Sequence, residues 1–166
     1  TAGIDESNAN GYYILWPRNP KQAVKKIWQL LRTIYKIKNF GVVITDSHTI
    51  PLRRGTLGIS LTHYGFTPLK DYRGERDIFG REFAIQVADI ADGLAASAVL
   101  AMGEGKETTP LALITDIPFV VFSEKPYRAT RLFSSFEIEE KQDLYYPLLS
   151  SVPWKKGGSG KTRRSS

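Results

Sequence analysis

Residues 41–64 read GVVITDSHTIPLRRGTLGISLTHY. Gly41 to Thr45 is a compact run of β-branched residues, which reads as a buried strand. It gives way to Asp46-Ser47-His48-Thr49, a polar cluster placed where a strand hands over to a loop. Reacting groups are often held at such points, because loops carry function on a rigid scaffold. PLRRG (51–55) is a turn by its proline and glycine, and Thr56 to Tyr64 alternates loosely as a second strand.

Upstream, Asn19-Pro20 supplies a helix N-cap with proline at the first helical position. From there to Lys38, residues Ala23, Val24, Ile27, Leu31, Ile34 and Tyr35 recur at helical spacing, opposite Lys21, Lys25, Gln29, Arg32 and Lys36. GYYILWP (11–17) reads as a short buried strand, and the polar residues before it as a loop. Downstream, residues 65–82 lack periodicity and read as a long ordered loop of the functional kind. Residues 86–102 form a second helix, crowded with alanine and capped by Gly103. LALIT and PFVVF read as a strand pair or one bent strand interrupted at Pro118, and a short helix is predicted around Glu137–Leu144. Helices and strands alternate unevenly, which points to an α+β fold with a mixed sheet and packed helices.

Composition narrows the function classes. Of 166 residues, 42% are hydrophobic and 24% charged, as in an ordinary globular protein. No apolar run approaches the roughly 18 residues that cross a bilayer, so no membrane partner is expected. The absence of cysteine removes disulfides, thiolate nucleophiles and thiolate metal sites, and His48 and His63 alone make a multi-histidine zinc site improbable. The net charge of +6 is concentrated at the end of the chain, where Lys155, Lys156, Lys161, Arg163 and Arg164 lie. Without those five, 18 basic residues face 17 acidic ones, so no nucleic-acid face is expected. GGSGKT in this tail echoes a phosphate-binding loop, but Lys155 stands where the leading glycine belongs, and neither a leading strand nor a following helix is available.

The side chains suited to chemistry are oxygen donors. Asp5, Ser7 and Asn8 lie in the opening segment, Asp46 and Ser47 at a strand end, and Glu104 at the end of the second helix. Oxygen ligands gathered from separate loops suit Mg²⁺ or Mn²⁺ between carboxylates and phosphates; each taken alone reads first as a turn cap or a solvated charge. Arg53, Arg54, Arg73, Arg76 and Arg81 have the planar fork that clamps carboxylate or phosphate, or they pair with Asp71, Glu75, Asp77 and Glu82. His48 and His63 read as acid–base groups or as hydrogen-bonding loop and core residues.

Five blocks taken in order resemble one family: GIDESNA (3–9), ITDSHTIPLRRGTLGI (44–59), GFTPLKDYRGERDIFGRE (65–82), QVADIADGLAASAVLAMGE (86–104) and PLALI (110–114). They resemble the γ-glutamyl ligases that add L-glutamate to the deazaflavin coenzyme F-420 precursor, over about residues 1–122. The resemblance implies an intertwined α+β homodimer in the cytoplasm that uses GTP, two divalent ions (Mg²⁺ or Mn²⁺) and a monovalent cation such as K⁺. It implies phosphorylation of the carboxylate of a small-molecule acceptor and displacement of the phosphate by the glutamate amine. Asp5 and Asp46 resemble ligands of one ion, and Ser47 and Glu104 ligands of a second. Asn8 and the turn Met102, Gly103, Glu104, Gly105, Lys106, Glu107, Thr108, Thr109 resemble the nucleotide site, and Arg53, Arg54 and Arg73 are candidate substrate contacts. Residues 1–122 are then expected to be a ligase-like domain, 123–150 a C-terminal extension and 151–166 a flexible basic tail. The chain opens on Thr1, and the resemblance implies a further N-terminal portion that helps hold the nucleotide. THYGF (62–66) differs from the family's commonest version, which leaves a folate-like acceptor as an alternative, and a non-catalytic ligase-like binding domain is a further one.

Overall fold

The computed structural model describes residues 4–125 and 138–153, apart from the side chains of Ile4 and Asp5. The chain divides into two compact units, Thr1–Tyr127 and Arg128–Ser166. The second contains, among its described residues, a single 3-10 turn at Glu140–Gln142 and helix α3 at Tyr146–Ser151. The helix expected at 137–144 is thus split, because Asp143 closes the turn and its carboxylate accepts from the Tyr145 amide, breaking the helical run. The tail from residue 154 onward, with GGSGKT, lies outside the described residues.

The first unit is built on an antiparallel pair, β3 (Val42–His48) and β4 (Leu57–Phe66). β3 continues through Asp46, Ser47 and His48, which pair with Ile59, Gly58 and Leu57. The polar cluster therefore lies inside a strand rather than on the loop expected there. The register shifts between Ile44 and Thr45, where Ser60 and Thr62 are the partners and Leu61 is the extra residue. Such a bulge twists the pair and re-aims the side chains beyond it.

Two helices pack along β4. α1 (Pro20–Tyr35) is capped by the Asn19 side chain, which accepts from the Gln22 amide, and it ends at Lys36 in the left-handed region. Its buried residues are Val24 and Trp28. Trp28 stacks on Phe40, donates to the Phe40 carbonyl at 3.0 Å and meets the edge of Tyr64. Ile27, Ile34 and Tyr35, expected on the buried face, are exposed. Trp28 fills the groove beside Gly65, where a Cβ would lie 2.5 Å from its indole nitrogen, and turns those residues outward.

α2 spans Ile90–Met102, and residues 87–89 before it form strand β6, not the helical turn expected. The Asp89 side chain caps the helix through the Asp92 amide, and the Pro68 carbonyl accepts from the Ile90 and Ala91 amides. With the first donors so satisfied, the helix cannot begin earlier. Ala91, Ala95 and Val99 form its buried stripe, four residues apart. β6 pairs with β5 (Leu69–Asp71), so the expected loop at 65–82 contains a strand and then an ordered turn region closed by an Arg76–Glu82 bridge.

A short β7 (Phe122–Ser123) adds to the end of β4, and β1 (Ile4–Asp5) pairs with β2 (Ile14–Leu15). β2 is exposed along its length, contrary to the buried strand expected, because β1 is its one described neighbour. LALIT forms no strand: Leu111 and Leu113 are exposed and no described strand pairs with them. Every sheet among the described residues is antiparallel, so the α+β class stands while the mixed sheet gives way to three small antiparallel ones. The two hairpins, β1–β2 and β3–β4, are antiparallel because a short connection reverses the chain, whereas a parallel pair needs a long crossover. No helix among the described residues is long and apolar enough to cross a membrane.

Candidate functional site

α2 runs back along β4, and this path builds the site. Near its start, Asp92 Oδ1 accepts from the Ser60 amide at 2.7 Å. One to two turns later, Ala95 and Val99 lie over Gly58, where a Cβ would sit 2.6 Å from the Ala95 carbonyl oxygen and from Val99 Cγ2. Only glycine admits so close an approach. The helix then ends at Gly103, whose amide donates to the Val99 carbonyl. Glu104 follows at once and arrives beside β3 and the first residues of β4.

There the Glu104 carboxylate is held by two hydroxyls. Ser47 Oγ donates to Oε2 at 3.1 Å and Thr56 Oγ1 to Oε1 at 3.3 Å. Asp46, the neighbour of Ser47, is held from another direction. Trp16 Nε1 donates to its Oδ2 at 2.8 Å, and the Ser47 amide donates to Oδ1 at 2.8 Å. Successive residues of a strand face opposite sides. Asp46 accordingly meets the β1–β2 hairpin, whereas Ser47 meets the end of α2.

Asn8 joins these two sides. It sits in the hairpin loop at φ 56°, and its Nδ2 donates to the Gly105 carbonyl at 2.9 Å, 97 residues away in sequence. The turn that it grips is closed on itself: Gly105 N donates to Glu107 Oε2 at 2.7 Å and Thr109 Oγ1 to the Met102 carbonyl at 2.6 Å. Thr108 takes the left-handed region at φ 55° within that turn, and Lys106 is exposed on it.

The remaining candidates lie as follows. Arg53 and Arg54 are exposed on the β3–β4 turn. Arg73 is engaged by Asp71, with Nε 2.8 Å from Oδ1 and a second nitrogen on Oδ2, so its fork is already occupied. His48 is exposed at the end of β3. His63 is half-buried against Phe66, and burial, followed by the charge of Lys21, holds its pKa below the ordinary value. The Asp5 backbone pairs with Ile14, two residues before Trp16, and its side chain lies outside the described residues.

Asp46, Ser47 and Glu104 offer carboxylate and hydroxyl oxygens, the donor chemistry of Mg²⁺ and Mn²⁺. Each carboxylate oxygen described above uses one lone pair and keeps another. The residues therefore fit a hard divalent ion. Among the described residues no group of three or more His, Asp or Glu side chains converges.

Sequence reasoning missed Trp16 and Thr56. Trp16 belongs to an apolar run, and nothing local reveals that its N–H reaches a carboxylate 30 residues away. Thr56 had a usable signal, a hydroxyl flanking the turn opposite the Asp46-Ser47 cluster.

A family model described as F420-0:Gamma-glutamyl ligase matches residues 1–116. The chain is 36% identical over 136 residues to a Coenzyme F420:L-glutamate ligase of Methanopyrus kandleri, covering 81% of this chain and 54% of the relative. It is 38% identical over 120 residues to the protein of that name from Methanocaldococcus jannaschii (71% and 48%). A relative of that name from Halobacterium salinarum is 37% identical over 119 residues (71% and 45%). The chain spans about half the length of these curated relatives. With a family model covering most of its length, the chain belongs to the F420-0:γ-glutamyl ligase family.

Proposed function

We propose that this chain carries the nucleotide and metal site of a GTP-dependent γ-glutamyl ligase that joins L-glutamate to the carboxylate of the coenzyme F-420 precursor. The observation that carries the reading is the Ser47–Glu104 hydrogen bond at 3.1 Å, across 57 residues of sequence, with Asp46 held beside it. A glutamate carboxylate that gathers two hydroxyls at the surface contributes little to packing. Carboxylate and hydroxyl oxygens gathered in this way are the donors that a hard divalent ion takes.

The reaction assigned to the site has two steps. The acceptor carboxylate takes the γ-phosphoryl group of GTP, releasing GDP. The amine of glutamate then attacks the acyl carbon, inorganic phosphate leaves and a proton is lost. A bound divalent ion supplies neutralisation of phosphate charge, which such a transfer requires. In this reading Asp46, with Asp5, holds one ion on the hairpin side, and Ser47 with Glu104 holds a second on the α2 side. Asn8 fixes the turn at 102–109 so that its backbone faces the nucleotide, and the exposed Arg53 and Arg54 meet acidic substrate groups. The same reading includes a cytoplasmic homodimer and a K⁺ requirement.

Isothermal titration of GTP in the presence of Mg²⁺ tests the site, and mass spectrometry after incubation with acceptor and glutamate tests the reaction. Saturable GTP binding that D46N and E104A weaken at least tenfold is expected, together with a product heavier by one glutamyl residue. GTP binding indifferent to both substitutions would overturn the reading.

A further inference from the structure

Trp16 stands out among the large apolar residues of its hairpin. It is 48% exposed, and its neighbours Tyr12, Tyr13, Ile14 and Leu15 are exposed as well, so burial does not account for its indole. What the indole does is donate: Nε1 lies 2.8 Å from Asp46 Oδ2. The other carboxylate oxygen is taken by the Ser47 amide, also at 2.8 Å. One donor on each oxygen fixes the rotation of the carboxylate about its Cβ–Cγ bond. A carboxylate has about four lone-pair sites, so this arrangement leaves room for a cation on either oxygen.

We propose that Trp16 is a positioning residue for Asp46, its indole N–H orienting the carboxylate for a divalent cation. The inference rests on the metal reading above and adds to it a residue from a different segment, just after β2. Outer hydrogen bonds of this kind orient ligating groups, and their loss typically lowers metal affinity by about 10–100-fold. The indole suits the task because it is donor only: it can hold an ionised carboxylate but cannot itself compete for the cation. The same bond ties the segment just after β2 to β3, while Asn8 ties the hairpin loop to the turn after α2.

The test uses the full chain with Mn²⁺ alone as probe, titrated by electron paramagnetic resonance, in the unchanged protein, D46N and W16F. The expected result is binding that D46N abolishes and that W16F weakens roughly tenfold. Binding weakened by D46N but equal in W16F and the unchanged chain overturns the role of Trp16 and leaves the metal reading intact. No binding, or binding that D46N leaves untouched, overturns both. A second measurement needs no tryptophan variant. In ¹H–¹⁵N spectra of the unchanged chain, adding Mg²⁺ should shift one indole N–H resonance, the same one that D46N displaces. An indole resonance displaced by D46N but indifferent to saturating Mg²⁺ would overturn the inference.

Discussion

Ser47 and Gly58 face each other across the β3–β4 ladder, and α2 connects their roles. Gly58 lets the helix down onto the strand at Ala95 and Val99, and Ser47 receives Glu104 where that helix has ended. A glycine in the middle of a strand ordinarily weakens it. Here the missing side chain is what brings a carboxylate to a hydroxyl.

G58A should therefore damage both stability and site. The new Cβ would meet the Ala95 carbonyl oxygen and Val99 Cγ2 at 2.6 Å, and neither is the free end of a flexible chain. Overpacking of this kind costs about 1–3 kcal/mol. Denaturant unfolding should show that loss, and GTP affinity in the folded fraction should fall with it. An unchanged midpoint would mean that α2 is not seated so closely.

Asn19 provides a local control. Its side chain accepts from the Gln22 amide at the head of α1, and α1 contributes none of the site's polar groups. N19A should cost about 1 kcal/mol, read from the same unfolding curve, while nucleotide and metal affinity stay unchanged.

The contrast between these two positions shows what was legible in the sequence. The start of α1 is written locally, in Asn19-Pro20, and the structure begins the helix there. The strand before α2 is not: Val87 and Ala88 fit a helix as well as a strand, although Asp89 marks the cap. Only the pairing of β5 with β6, and the Pro68 carbonyl on the first helical amides, make it strand. LALIT has strand composition but no described partner, and β propensity without pairing fixes nothing. In the site, oxygen donors were legible because their type is local information. Their supports were not, since Trp16 and Thr56 depend on which segments come to lie beside Asp46 and Glu104.

Asp89 should give the fold a pH dependence. Its burial outweighs the amide hydrogen bonds from Asp92 and Ala91, and nearby Asp92 adds repulsion, so its pKa is pushed up to about 6. A carboxyl raised above its ordinary 3.8 favours the folded state when protonated. That contribution is complete below about pH 4 and is lost as pH rises through about 6. D89N keeps a good N-cap and cannot ionise. Melting temperatures of the two proteins should agree at pH 4, and D89N should melt higher at pH 8. A variant that is less stable at pH 8 than the unchanged protein would show that the ionised cap, not the neutral one, supports α2.

Asn8 allows backbone strain to be separated from a functional hydrogen bond. It adopts φ 56°, a region that asparagine and glycine tolerate and alanine does not, while its Nδ2 grips the Gly105 carbonyl at 2.9 Å. N8G removes the side-chain bond and leaves the backbone conformation accessible; N8A removes the bond and adds strain. A net hydrogen bond contributes about 0.5–1.5 kcal/mol, so loss of the tether alone corresponds to roughly a 2–12-fold change in an equilibrium constant. If the bond organises the turn at 102–109 for nucleotide, both variants should lose GTP affinity within that range. Hydrogen exchange should rise in both across β1 and β2, and in N8A more than in N8G. If strain release is what matters, N8G should bind GTP like the unchanged chain and only N8A should fail. Measuring the two variants side by side, by titration and by exchange, decides between the hydrogen bond and the turn conformation as the feature that Asn8 supplies.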